Sequence, residues 1–229
     1  ELRARHRQRP APILDAGQAM LREFLDALPF RPTGAQIRVI GEIRADLASA
    51  LSMLRLVQGD VGSGKTLVAA AAALIAIGSG YQVAVMAPTE LLAEQHRRNF
   101  ANWFAALDIG QAWLAGSVKG KRREAALAEI CNGEAALVIG THALFQEGVE
   151  FQRLGLVIVD EQHRFGVHQR LALSEKSGAG LRAHQLIMTA TPIPRTLSMV
   201  AYADLDVSII DEMPPGRQPV TTVLIDNQR

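Results

Sequence analysis

The chain has 229 residues, of which 48% are hydrophobic and 21% are charged, and its formal net charge is +1. This composition excludes an intrinsically disordered chain, and the near-neutral charge means that any nucleic-acid site must be a local patch. The single cysteine, Cys131, excludes an internal disulfide and favours a reducing, cytoplasmic compartment. No apolar run is long enough to cross a bilayer, so we expect no membrane association.

Residues 1–27 are predicted to be a linker or helical remnant of a preceding domain. The chain starts with Glu1 rather than Met, so we expect it to be a piece of a longer protein. The stretch "DAGQAMLREFLDAL" has apolar residues at helical spacing and predicts a short amphipathic helix with Asp15 as its N-cap. Prolines and a glycine make "LPFRPTGAQ" a loop. The following "AQIRVIGEIRADLASAL" predicts a helix whose apolar face carries Ile37, Ile40, Ile43 and Leu47.

Short apolar runs then alternate with helical segments. The strand candidates are "LRLVQ", "QVAVMAP", "QAWLAG", "AALVIGT", "LGLVIVDE" and "HQLIMTAT", separated by helices such as "TLVAAAAALIAIG", "ELLAEQHRRNFANWFAAL" and "GKRREAALAEI". This alternation predicts an α/β domain over residues 28–210, with a mostly parallel sheet and helices on both faces. Residues 211–229, rich in proline, are predicted to be a connector toward a further domain. Because ligands gather at the carboxyl ends of parallel strands, we expect the polar motifs there to form one composite site.

The segment "QGDVGSGKT" has the spacing of a phosphate-binding loop. Its glycines let backbone N–H groups point at phosphate oxygens, and the helix that follows directs its positive end at the same anion. Lys65 would supply a charge to the β- and γ-phosphates, and the Thr66 hydroxyl would ligate Mg²⁺. The alternative is a glycine turn with an incidental Lys-Thr pair. The predicted nucleotide contacts are Gly59, Asp60, Val61, Gly62, Ser63, Gly64, Lys65 and Thr66.

Two acids end the apolar strand "VIVDEQH". An ATPase needs one group to organise the hydration shell of Mg²⁺ and another to orient the attacking water. We assign the metal to Asp160 and the water to Glu161, with His163 just beyond. The alternative is a charged strand end that caps a helix.

Hydroxyl groups follow three other strands. Thr189 and Thr191 in "MTATPIPRT" could sense the γ-phosphate or bridge to the acids, although without the context of the other motifs β-branched residues at a strand end would be the preferred explanation. Thr89 in "APTELLAEQH" and Thr141 in "IGTHALF" lie near predicted helix starts, where a hydroxyl and free amides can hold a nucleic-acid backbone. Helix capping alone would also account for both.

Taken in order, these segments resemble motifs I, Ia, Ib, II and III of superfamily-two helicases, with "LPFRPTGAQ" at the position of the adenine-recognising motif. More narrowly, "DEQHRFGVHQR", "MTATPIPRTL" and "IDEMPPGRQPV" resemble the RecG family of ATP-dependent DNA helicases. The stretches "HRFGV" and "TATPIPRTL" are shared with the transcription-repair coupling factor, and "PFRPTGAQ" and "DEMPPGR" favour RecG. The resemblance runs from about residue 28 to the end of the chain.

The resemblance implies a RecA-like P-loop NTPase lobe that uses ATP and Mg²⁺. It implies catalytic roles for Lys65, Asp160, Glu161 and His163, metal contacts from Thr66 and Asp160, and adenine contacts from Phe30 and Gln36. It also implies that DNA contact and coupling to hydrolysis involve Thr89, Gln95, Thr141, Thr189 and Thr191.

The function implied is ATP-driven translocation on double-stranded DNA, with remodelling of forks and Holliday junctions by a monomer. The resemblance further implies a wedge domain before this chain and, after it, a second helicase lobe that carries an arginine finger. Without that lobe, we expect weak Mg-ATP binding and hardly any hydrolysis. Three alternatives stay open: a transcription-repair coupling translocase, a small-molecule kinase (although no arginine-rich lid is evident), and a nucleotide- or DNA-binding module.

Overall fold

The computed structural model describes residues 9–146, 148–160, 176, 180–190 and 205–214. Within these ranges seven strands form one sheet in the order β3-β4-β2-β5-β6-β1-β7, and each neighbouring pair is parallel. The strands β1 to β7 are Leu54–Gly59, Gln82–Met86, Gln111–Leu114, Leu137–Gly140, Leu154–Asp160, His184–Thr189 and Asp206–Ile210. The predicted α/β class with a parallel sheet is therefore confirmed.

Five α-helices and one 3₁₀ helix are described. Helices α1 to α5 are Gln18–Ala27, Gly34–Leu47, Lys65–Gly78, Glu90–Trp103 and Lys121–Cys131, and the 3₁₀ helix is His142–Phe145. No helix in the described ranges is both long enough and apolar enough to cross a bilayer.

The helices cover both faces of the sheet, as predicted. Side chains alternate along each strand, so that Val83 and Val85 of β2 enter one core while Ala84 and Met86 enter the other. Helices α1 to α4 contribute to the first core, and α5 and the 3₁₀ helix contribute to the second. Helix α3 is apolar on all sides and almost wholly buried, which suits a helix at the centre of a domain.

Helix α1 crosses α3 through a close backbone contact at two glycines. A Cβ atom at Gly17 would lie 2.5 Å from the backbone of Ile75, and one at Gly78 would lie 2.6 Å from the Cα atom of Gly17. The contact fixes the start of α1 at Gln18, with Gly17 as N-cap and no side-chain cap hydrogen bond. The prediction that Asp15 caps this helix is therefore wrong, because tertiary contact sets the boundary.

Residues 9–27 are attached to the same core as the sheet. Leu14 is fully buried, and its N–H donates to the carbonyl of Leu47 at 2.8 Å. The fully buried His184 donates from Nε2 to the carbonyl of Pro12 at 2.7 Å and accepts at Nδ1 from the N–H of Met53 at 3.1 Å. The expected domain boundary at residue 28 thus does not coincide with a break in core contacts.

The buried face of α2 differs from the predicted one. Thr33 caps the helix in a capping box, and the residues that face the core are Ala35, Gln36, Val39, Ile40, Ile43 and Leu47. Ile37 is 48% exposed, so its predicted place on the buried face is wrong. It lies at the border of the apolar stripe, where helical spacing alone does not decide burial.

Strand β7 was not predicted. It pairs with β1 at the end of the sheet, and its burial does not follow the usual alternation of buried apolar and exposed polar residues. Ser208 and Ile210 are buried, whereas the apolar Val207 and Ile209 are more than one third exposed. The buried Ser208 hydroxyl interacts with Arg55 and Glu42. A polar residue at an inward position removes the alternation from which strands are usually recognised.

Candidate functional site

A cleft of about 750 Å³ lies at the carboxyl ends of the central strands. Its walls come from the loop after β1, the start of α3, one face of α4, and the ends of β5 and β6. The lining residues are Val61, Gly62, Gly64, Lys65, Thr66, Pro88, Thr89, Leu92, Gln95, His96, Asn99, Asp160 and Ala190. Since β1 and β5 are the two neighbours of β6, their ends are separated by about 10 Å, roughly two strand spacings.

Glycine gives the loop between β1 and α3 its shape. Gly62 and Gly64 have φ values of +83° and +88°, in the left-handed region where other residues are strained. A Cβ at Gly64 would also collide with the side-chain amide of Gln36, and one at Gly59 would lie 2.5 Å from the Ser63 hydroxyl. The glycines therefore let the loop turn tightly into the N-terminus of α3, and a glycine-rich loop before a helix N-terminus is an arrangement that binds phosphate.

The Lys65 side chain folds back over this loop. Its ammonium group donates hydrogen bonds to the carbonyls of Gly59 at 2.7 Å and Asp60 at 3.0 Å. The charge is thus held beside the loop amides, where an incoming phosphate would meet both. Thr66 follows on the first turn of α3 and lines the same cleft.

Gln36 connects helix α2 to the phosphate loop. Its Oε1 accepts from the N–H of Thr33 at 2.9 Å, and its Nε2 donates to the carbonyl of Ser63 at 2.8 Å. The side chain is buried, whereas Phe30 is 44% exposed beside a separate cavity of about 420 Å³. Neither residue lines the main cleft, so their contact with adenine stays a prediction.

Asp160 ends β5 and lines the same cleft as the phosphate loop. Its Oδ2 lies 2.7 Å from Nε2 of His96, and its side chain is 15% exposed. Glu161, His163 and Thr191 lie outside the described residues. Of the predicted catalytic and metal-binding residues, the structure therefore brings together Lys65, Thr66 and Asp160 in one cleft.

The predicted DNA and coupling residues divide into two groups. Thr89 caps α4 by accepting from the N–H of Leu92 at 3.3 Å, and it lines the cleft together with the exposed Gln95. Thr141 and Thr189 are 2% and 1% exposed. The Thr141 hydroxyl has no hydrogen-bond partner within the described part of the chain. The first two can reach a bound ligand directly, whereas the other two are buried at strand ends.

Sequence reasoning missed His96. It lies seven residues after Thr89, which is about two helical turns and therefore the same face of α4. That spacing was the available signal, but it does not reveal a contact with an acid on another strand.

On the outer surface of the same helix, the Arg97 guanidinium lowers the pKa of Glu94 to about 2 by hydrogen bonding. Glu94 also pairs with Arg98, so both arginines are held by one carboxylate.

The oxygen donors in the cleft suit magnesium. The Thr66 hydroxyl and the Asp160 carboxylate are hard ligands, and both residues line the same cleft. Mg²⁺ commonly uses one or two such protein groups together with water and substrate phosphates. Thr66 and Asp160 are thus the residues that would hold the ion beside a bound triphosphate.

Comparison with known proteins identifies the family of the chain. Residues 33–200 match the family model described as DEAD/DEAH box helicase. The chain is 63% identical over 229 residues to the ATP-dependent DNA helicase RecG of Escherichia coli (strain K12), covering 100% of this chain and 33% of that protein. It is 65% identical over 207 residues to RecG of Haemophilus influenzae, covering 90% of this chain and 30% of that protein.

A solved structure gives the same result at the level of the fold. The structure of RecG bound to a three-way DNA junction matches with a TM-score of 0.84 and 42% identity, covering 96% of this chain and 29% of that chain. The chain spans about a third of the length of the curated relatives it matches. The resemblance first seen in the motifs is confirmed, and the matched range contains the phosphate loop, α4 and Asp160. The chain belongs to the DEAD/DEAH box helicase family.

Proposed function

We propose that this chain is the ATP-binding lobe of an ATP-dependent translocase on double-stranded DNA. Its work would be to remodel stalled replication forks and Holliday junctions by branch migration, in DNA repair and recombination. The observation that carries the proposal is the single cleft where Lys65 and Thr66 face Asp160, with the N-terminal half of α4 as its remaining wall. Further support comes from the RecG relatives and from the RecG structure that contains a three-way junction.

The residues of the cleft divide the work of ATP hydrolysis. Lys65 and the amides after β1 bind the triphosphate, and Thr66 and Asp160 hold Mg²⁺, which neutralises phosphate charge when bound. Glu161 orients the attacking water. His163, Thr189 and Thr191 transmit the state of the γ-phosphate to the DNA.

The DNA is held through its backbone rather than through its bases. Thr89 and Gln95 at the start of α4 supply direct contacts, and the segment that contains the buried Thr141 after β4 faces the same backbone, which fits binding without sequence preference. Branched DNA, the wedge domain and the second helicase lobe are the proposed partners of a cytoplasmic monomer. Because an arginine finger contributes about 10³ to 10⁵ in turnover, this lobe alone should hydrolyse ATP only at a trace rate.

The test is Lys65→Ala in the full-length protein, with ATPase, fork unwinding and DNA binding measured side by side. Loss of the ammonium group should abolish ATPase and unwinding while leaving DNA binding intact, because Lys65 belongs to the phosphate loop and is not one of the predicted DNA contacts. Lys121→Ala, on exposed α5 outside the cleft, is the matched control and should retain every activity. Unwinding that survives Lys65→Ala would refute the proposal.

A further inference from the structure

His96 is a buried polar residue whose side chain contacts the acid assigned to magnesium. The residue is 6% exposed, and its Nε2 lies 2.7 Å from Oδ2 of Asp160. Its Nδ1 has no hydrogen-bond partner within the described ranges. Since burying a polar group without hydrogen bonds is costly, the contact with Asp160 is what compensates the imidazole within this part of the structure.

The imidazole packs beside a buried aromatic cluster. The His96 ring lies 6.4 Å from the ring of Phe100, one helical turn further along α4. Phe100 is fully buried, and its ring meets those of Phe104 at 5.3 Å and Trp103 at 6.3 Å in edge-to-face geometry. Phe24 of α1 completes the cluster from the neighbouring helix. The position of Nε2 is therefore set by the core rather than by a mobile side chain.

The hydrogen bond restrains the carboxylate and still leaves it free to bind. A carboxylate has two oxygens with about four acceptor sites, and His96 uses one of them on Oδ2. The remaining sites can accept from water molecules around a cation. An ionised carboxylate only accepts, so the imidazole donates from Nε2–H, as in other sites where a hydrogen-bonded partner orients a metal-binding group.

We propose that His96 is a positioning residue that orients the Asp160 carboxylate for the magnesium–nucleotide complex. The inference rests on the proposed function, because it takes Asp160 as the acid that organises Mg²⁺. It also makes α4 a direct physical connection between the metal-binding acid and the predicted DNA contacts Thr89 and Gln95. The Thr89 to His96 segment forms one wall of the cleft, so a shift of this helix moves the group that holds Asp160.

The experiment measures magnesium-dependent binding of a fluorescent, non-hydrolysable ATP analogue to the full-length protein. The Mg²⁺ concentration at half-maximal binding is compared with the affinity for the analogue in EDTA. His96→Leu removes the donor, whereas His96→Gln returns an amide N–H near the position of Nε2. Asp160→Asn reports on the acid itself, and Arg98→Leu, 75% exposed on the same helix, is the control.

We expect His96→Leu to raise the required Mg²⁺ concentration about 10- to 100-fold, the usual effect of losing the partner of a metal ligand. Affinity in EDTA should be unchanged, and His96→Gln should recover most of the magnesium effect. If His96→Leu fails to fold, His96→Asn takes its place, because its amide is too short to reach Asp160. An unchanged or lower magnesium requirement in the donor-free variant would overturn the inference.

The two proposals fail in distinguishable ways. If Asp160→Asn weakens magnesium-dependent binding and His96→Leu does not, only the role of His96 is wrong. If neither Asp160→Asn nor Lys65→Ala affects binding, then the cleft is not the nucleotide site and the proposed function is wrong as well.

Discussion

At the scale of single residues, Gly64 carries two constraints at once. Its φ of +88° is in the left-handed region, and a Cβ there would collide with the amide of Gln36. Gly64→Ala should therefore destabilise the protein by about 1–2 kcal/mol and weaken nucleotide binding, since relief of the collision would move the loop.

The matched control is Gly41→Ala within α2, where a new Cβ meets nothing within 4 Å. There the substitution should stabilise by about 0.5–1 kcal/mol, because glycine is unfavourable inside a helix. Urea denaturation and nucleotide titration measure both variants. Equal effects of the two substitutions would show that Gly64 is not constrained.

His184 is expected to make stability depend on pH. Burial lowers its pKa below the ordinary 6.5, although the hydrogen bond to the Pro12 carbonyl and the charge of Asp46 act in the opposite direction. Below pH 6.5 the unfolded chain therefore binds more protons than the folded one. The stability associated with neutral His184 is complete above that pH and is lost as the pH falls toward the lowered pKa.

His184→Gln tests this dependence. At pH 7.5 the substitution should lower the free energy of unfolding by about 1–3 kcal/mol, because the two hydrogen bonds of His184 are lost. The difference in stability from wild type should become smaller toward pH 5. Urea midpoints at the two pH values measure the deficit. A constant deficit would contradict the assignment of a neutral, buried imidazole.

At the scale of elements, α2 joins three parts of the molecule. Gln36 reaches the phosphate loop, Glu212 accepts from the N–H of Ala35 at 3.1 Å at the start of the helix, and Glu42 interacts with Arg55 of β1. Glu212 lies in the segment that leads away from β7, and its negative charge is favourable at a helix N-terminus. Helix α2 therefore connects the phosphate loop to the beginning of the predicted connector, residues 211–229.

Arg55 is the centre of the charged network under this helix. It donates to Asp46 at 2.7 Å, Glu42 at 3.2 Å and the Ser208 hydroxyl at 2.7 Å, and its side chain is only 11% exposed. Arg55→Leu would remove the ion-pair partner of Asp46 and one of the partners of Glu42 and of the Ser208 hydroxyl, which still contact each other, so we expect the free energy of unfolding to fall by about 1–3 kcal/mol. Thermal or urea denaturation measures it.

Arg98→Leu is the comparison, since Arg98 is 75% exposed and pairs with Glu94 at the surface. Its effect should be below about 0.5 kcal/mol, as for most exposed ion pairs. A similar cost for both substitutions would mean that the Arg55 network does not hold β7 and α2 together.

Sequence patterns located the elements whose signals are local. The phosphate loop and the apolar strands at 54–59 and 154–160 were found because their residues define backbone shape or burial by themselves. Strand β7 was not predicted because the polar Ser208 faces inward, where it contacts Arg55 of β1, a strand distant in sequence. The role of His96 was not predicted either, because its hydrogen-bond partner Asp160 is 64 residues away in the sequence. Structural features that depend on contacts between distant residues produce no hydrophobic periodicity in the sequence.

At the scale of the whole molecule, the described part of the chain is one α/β unit whose candidate site lies at the carboxyl ends of a parallel sheet. The strand order places β1 and β5 on either side of β6, so two motifs distant in sequence meet in one cleft. The chain spans about a third of the length of the RecG relatives.

The most direct measurement is a crystal structure of the protein with Mg²⁺ and a non-hydrolysable ATP analogue. We predict the β- and γ-phosphates at the amides of residues 61–65 within hydrogen-bond reach of the Lys65 ammonium group, and Mg²⁺ between the Thr66 hydroxyl and the Asp160 carboxylate. A triphosphate bound elsewhere, or a magnesium ion that leaves Asp160 outside its hydration shell, would contradict the shared site on which the proposed motor depends.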